Sequence, residues 1–125
     1  MSYGERYYTQ IKQLQSESLE VFDTLRGLVS ELDRRLADIY HAIEVLDDVE
    51  SAEGIKAMHD LKETLTYRRI AKEEVRTLSP IYCLFNDSGE KLDERYGRAS
   101  RGSTRIKRQL NAKMTIEEVF EALNV

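Results

Sequence analysis

The sequence predicts a mainly helical α+β chain: a long antiparallel helical hairpin, then a small β element and a short C-terminal helix. Three observations carry this reading. From Leu25 onward through Leu46, apolar residues recur almost entirely at steps of three and four, the period of one helix face. A second apolar series follows an acidic turn. The only proline, Pro80, then precedes a short apolar run from Ile81 to Phe85.

The first helix is expected from about Glu5 to about Leu46, where there is no proline and the only glycine is Gly27. It reads as one helix, or as two in line with a break near Ser16 to Ser18. Unbroken, it would run roughly 60 Å at 1.5 Å per residue. A single chain of this size does not cover such a stripe by itself, which predicts a dimer or higher oligomer. A broken helix folded into a monomeric three-helix bundle is the alternative.

Asp47-Asp48-Val49-Glu50-Ser51 is the expected turn. Its acidic residues favour the positive end of the next helix, and Ser51 or Asp48 supplies the cap. The second helix is expected from about Ala52 to Thr77. Ile55, Met58, Leu61 and Leu65 mark its apparent packing face. One more step reaches Arg68 or Arg69, then Lys72, before Val75 and Leu78 resume the stripe. Pro80 is expected to end the helix, because a proline pushes the residue before it out of the α region. Ile81 to Phe85 reads as a strand, Asn86 to Gly89 as a turn, and Lys91 to Tyr96 as a weakly alternating return strand. Gly97 to Thr104 reads as a loop. Thr115 to Glu118 has the pattern of a capping box, opening a helix whose apolar face is Ile116, Val119, Phe120 and Leu123. The chain is therefore expected to be one domain over 1–125, with an oligomerising hairpin at 1–78 and a β element, basic arm and helix at 79–125.

A net charge of −4 on 125 residues gives no general attraction to nucleic acid. The segment from Arg98 to Arg108 opposes that average, with Arg98, Arg101, Arg105, Lys107 and Arg108 and no acidic residue. A basic segment on an acidic body suggests a specific anionic partner. Cys83 is the only cysteine, so an intramolecular disulfide is excluded, and its apolar neighbours predict a buried structural thiol. The start has no secretory pattern, and no apolar run approaches the ~20 residues that span a bilayer. A cytoplasmic protein is expected.

Chemistry concentrates in three sets of residues. The first is GRASRGSTRIKR, whose guanidinium groups suit bidentate phosphate contacts and whose Gly97 and Gly102 suit close approach of backbone N–H groups. A solvated basic loop is the plain alternative. Neither the P-loop nor the dinucleotide glycine pattern is present. The second set is Arg68, Arg69 and Lys72, which either reach an anion or pair with Glu63, Glu73 and Glu74. The third is Tyr67, Tyr82, Phe85 and Tyr96, with Asn86, which could stack on a base and read its edge or simply pack the core. His41 and His59 have helical spacing to Glu44 and Glu63, but no metal or cofactor is expected. Nothing in the pattern argues for catalysis.

The runs ADIYHAIEVL and SAEGIKAMHDLKETLTYRRIAKEEVRTLSPIYCLF resemble a group of small phage proteins, the first Thoeris anti-defence family of "sponges". His41, Ile43-Glu44, Ala52-Glu53-Gly54, Arg68-Arg69 and Lys72-Glu73-Glu74 carry the resemblance, which covers about residues 37 to 85. It implies sequestration of a cyclic ADP-ribose isomer, and possibly of cyclic oligonucleotides, without cleavage. It also implies an oligomer with pockets between chains, where aromatic rings stack on adenine and arginines hold phosphates. Phe85, Asn86, Arg101, Arg105 and Arg108 are this sequence's ingredients for such a pocket. The rival expectation is a coiled-coil phage regulator or inhibitor that binds a host protein.

Overall fold

The first third of the chain, with its three-and-four apolar pattern from Leu25 onward, forms α1, Tyr3–Glu44, a continuous helix with no break near Ser16. Ser2 caps it, accepting a hydrogen bond from Glu5 N at 3.1 Å. A computed structural model describes residues 2–110 and 114–124, with side chains over 2–105 and 114–124. The turn after α1 is held by Asp48, whose carboxylate accepts from Glu50 N at 3.0 Å. Ser51 then caps α2, Ala52–Leu110, accepting from Gly54 N at 3.1 Å. Thr115 caps α3, Ile116–Leu123, and accepts from Glu118 N. Asn124 closes α3 at φ 55°, in the left-handed conformation that asparagine tolerates best after glycine.

The expected β element is overturned. Among the described residues there is no strand, and α2 runs through Ile81–Phe85, through the expected turn and return strand, and through the Gly/Ser/Arg segment. Pro80 lies inside the helix. An internal proline removes one backbone hydrogen bond and costs about 3 kcal/mol against alanine. What offsets it is packing. Along α2 the inward positions keep a strict three-and-four spacing on both sides of Pro80: Ala71, Val75, Leu78 and Tyr82, then Phe85, Gly89, Leu92 and Tyr96. This spacing is the seam of an antiparallel coiled coil.

The chain divides into two packing units, Glu17–Tyr82 and Met1–Ser16 with Cys83–Val125. In the first, Phe22, Leu32, Leu36 and Ala71 are the buried apolar residues. Phe22 stacks on Tyr82 with ring centroids 4.3 Å apart. Here the packing face of α2 differs from the expected one. Its inward positions are Gly54, Ala57, Leu61, Thr64, Arg68 and Ala71, while Ile55, Met58 and Leu65 are exposed. Small residues let the two helices approach closely, and the bulky ones flank the seam. Gly54 packs on the turn that precedes α2, where a Cβ would collide with the Val49 carbonyl.

In the second unit, Tyr8 stacks on Tyr96 at 3.8 Å with rings within 9° of parallel. Tyr8 donates to Asp93 at 2.6 Å, and Lys12 reaches the same carboxylate at 3.1 Å. These hydrogen bonds hold the Asp93 carboxyl below the usual carboxylate range. The same bond to Asp93 raises the Tyr8 phenol above its ordinary value. Gly89 is buried against Gln15 on this seam, so it serves close approach and not a turn. Cys83, expected to be buried, is exposed, because on a helix it falls one step past the inward Tyr82. The rings of Tyr3 and Phe120 also meet in this unit, at 6.3 Å.

Candidate anion-binding surface

The two flanks of the Glu17–Tyr82 hairpin have opposite character. Arg68 sits at an inward position of α2, and its Nε donates to Asp33 of α1 at 2.5 Å. Arg68 is half-buried, and its ion pair with Asp33 accounts for it structurally. Over the next two turns of helix, Arg69, Lys72 and Arg76 project beside the seam. With Leu65, Arg68 and Glu73 they line an open groove of about 550 Å³. Glu73 lies 3.5 Å from Arg76. Arg69 and Lys72 have no carboxylate within ion-pair distance among the described residues. Lys72 also borders a neighbouring groove with Arg26, Val29, Ser30 and Val75. Arg26 comes from α1, where its guanidinium lies 5.6 Å from the Phe22 ring.

This flank therefore gathers Arg69, Lys72 and Arg76 of α2 with Arg26 of α1. Arg69 and Lys72 are among the residues the sequence singles out, whereas Arg26 and Arg76 are not. Arg76 repeats Arg69 after seven residues. Arg26 could be found only once α1 and α2 are paired, because it lies far from Lys72 in sequence.

The second basic set belongs to the other unit. Arg98, Arg101 and Arg105 lie three and four residues apart on α2 and line an open cleft of about 400 Å³ with Gly102. None of the three has a carboxylate within ion-pair distance among the described residues. The expected loop cradle is overturned here. Gly97 and Gly102 are inside α2, where the helix engages its own N–H groups. The guanidinium groups that line the cleft remain for an anion. The side chains of Lys107 and Arg108 lie outside the described residues.

The expected base-stacking set does not assemble. Tyr82 is committed to Phe22 and Tyr96 to Tyr8. Tyr67 donates to Glu63 at 2.7 Å, which raises its phenol above the ordinary value. Phe85 is half-buried at an inward position, while Asn86 is exposed one helical step away. A strand hairpin could have aimed both at one base, but the helix separates them by about 100° of rotation.

His41 and His59 are exposed. Among the described residues, no three His, Cys, Asp or Glu side chains gather to hold a metal ion. No helix among them is long and apolar enough to cross a membrane. No protein-family model, curated protein or solved structure matches this chain.

Proposed function

We propose that this chain binds a small phosphorylated ligand of the cyclic-nucleotide class on the basic flank of its Glu17–Tyr82 hairpin, and acts by holding it. The observation that carries the reading is the groove beside the seam, where Arg69 and Lys72 stand without carboxylate partners. Guanidinium and ammonium groups in this state keep their full capacity for phosphate oxygens. Arg76 and Arg26 extend the surface to the width of more than one phosphate. Arg98, Arg101 and Arg105 offer a second set of the same chemistry.

The ligand class comes from the resemblance to the Thoeris anti-defence sponges. In that role the chain is a phage immune-evasion protein working in the host cytosol, and stoichiometric capture replaces turnover. Tyr82 and Tyr96 are stacked within the chain, so in this reading charge dominates recognition. Binding should then weaken as salt screens the groove.

A thermal-shift panel of cyclic ADP-ribose isomers and cyclic di- and trinucleotides tests this. One class should raise the melting temperature of the wild-type chain, since a ligand that binds only the folded state stabilises it. The double variant Arg69→Glu with Lys72→Glu should fold normally and show no shift. A flat panel with the wild-type chain defeats the reading. A shift retained by the double variant moves the site away from this flank.

A further inference from the structure

The flank opposite the basic groove carries acid. Asp38 of α1 and Asp60 and Glu63 of α2 line an open groove of about 290 Å³ in the Glu17–Tyr82 hairpin. None of these carboxylates has a cation within ion-pair distance among the described residues. One guanidinium, Arg35, stands against the three, so the walls keep a net of two negative charges, three less one.

Surface carboxylates are ordinarily just solvated, and Thr64 sets this groove apart. Thr9, Thr24, Thr66, Thr77 and Thr104 each donate to the carbonyl four residues before them, the usual outlet for a hydroxyl on a helix. Thr64 is buried, at 6% exposure, yet its hydroxyl has no hydrogen-bond partner among the described residues. No enclosed side-chain polar atom among them is left unsatisfied, so the Thr64 hydroxyl is open to the groove that the residue lines. Its partner has to come from within that groove.

The acceptors are arranged for a ligand with several donors and not for a single ion. Among the described residues, no three His, Cys, Asp or Glu side chains gather to hold a metal ion. Asp60 and Glu63 stand about 5–6 Å apart at their Cβ atoms, by helix geometry, and Asp38 faces them from the other helix. Tyr67 also lines the groove. Its hydroxyl is engaged by Glu63 at 2.7 Å, which leaves the ring face, and a ring face attracts an ammonium group. Ile39 adds an apolar wall that suits methylenes. An ammonium nitrogen has three donors and no acceptor, which matches walls of carboxylates and one hydroxyl.

We infer that this groove binds an aliphatic polyamine, with its ammonium groups on Asp38, Asp60 and Glu63, one of them also on the Thr64 hydroxyl, and its methylenes along Ile39. The site shares no residue with the basic flank, so this assignment and that of the anion stand or fall separately.

Titration calorimetry of the full chain with spermidine tests it. The wild-type chain should saturate at one spermidine per chain. Thr64→Val keeps the side chain's shape and removes the hydroxyl, and it should weaken binding about tenfold, the worth of one hydrogen bond to a charged group. Asp38→Asn combined with Asp60→Asn should abolish the heat with unchanged helical circular dichroism. Magnesium chloride should give no saturable heat. A wild-type chain that does not bind spermidine overturns the inference. So does binding that ignores either the Thr64→Val change or the double change, or that magnesium reproduces, since each would reduce it to general attraction between opposite charges. Tighter binding of a lysine peptide of the same charge would overturn it in favour of a protein partner.

Discussion

At the scale of single residues, the first turn of α2 tolerates little change where it packs on the turn that precedes it. Gly54 is the clearest case, because any Cβ meets the Val49 carbonyl, which is backbone and cannot rotate away. Gly54→Ala should therefore destabilise the chain by about 1–3 kcal/mol in denaturant unfolding, although alanine normally favours a helix. Asp93 supplies a test by pH. Its carboxyl is depressed by the hydrogen bonds from Tyr8 and Lys12. A depressed carboxyl contributes stability above its unfolded pKa and loses it as the pH falls through the folded one. The melting-temperature difference between wild type and Asp93→Asn should be constant near neutrality and shrink below about pH 4. A gap that persists in acid would mean that Asp93 acts by packing and not by charge. Arg68 carries a different lesson. The sequence places a cation in the packing face, and Asp33 explains it, so its neighbours Arg69 and Lys72 are the ones left for a ligand.

At the scale of elements, α2 is where local signals and tertiary packing disagree. Pro80, Asn86-Asp87-Ser88-Gly89 and the Gly/Ser/Arg segment each argue for breaks, and all lie within one helix. The inward repeat prevails because Tyr82, Gly89 and Tyr96, seven residues apart, meet Phe22, Gln15 and Tyr8 of α1 at the same interval. That repeat was hidden in the sequence by its small and polar members. Gly54, Ala57, Thr64 and Gly89 do not register as apolar, so the bulky but exposed Ile55, Met58 and Leu65 appear to mark the face. Where propensity, pattern and capping agree, the elements were legible: a long first helix, whose continuity the sequence left open, a second helix capped by one of two candidates, of which Ser51 is the one that caps it, and Thr115 as the cap of α3. Pro80→Ala tests the corrected element. It should raise stability by about 1–3 kcal/mol, the alanine advantage less the freedom that proline removes from the unfolded chain. A loss of stability would place a real break at Pro80.

At the scale of the whole molecule, the net charge of −4 conceals the organisation that matters. Basic residues are gathered on one flank of the Glu17–Tyr82 hairpin and along Arg98, Arg101 and Arg105 of the other unit. Half of this was visible in the sequence as local runs of Arg and Lys. The other half, Arg26 beside Lys72, exists only because α1 and α2 run antiparallel. The central claim is capture without cleavage, and titration calorimetry with the cyclic nucleotide that shifts the melting temperature tests it most directly, followed by mass analysis of the ligand recovered after denaturation. We expect saturation at a fixed ratio of ligand to chain, full recovery of intact ligand, and loss of the binding heat in Arg69→Glu with Lys72→Glu. Absence of binding heat with the wild-type chain, or recovery of a hydrolysed ligand, would contradict the account.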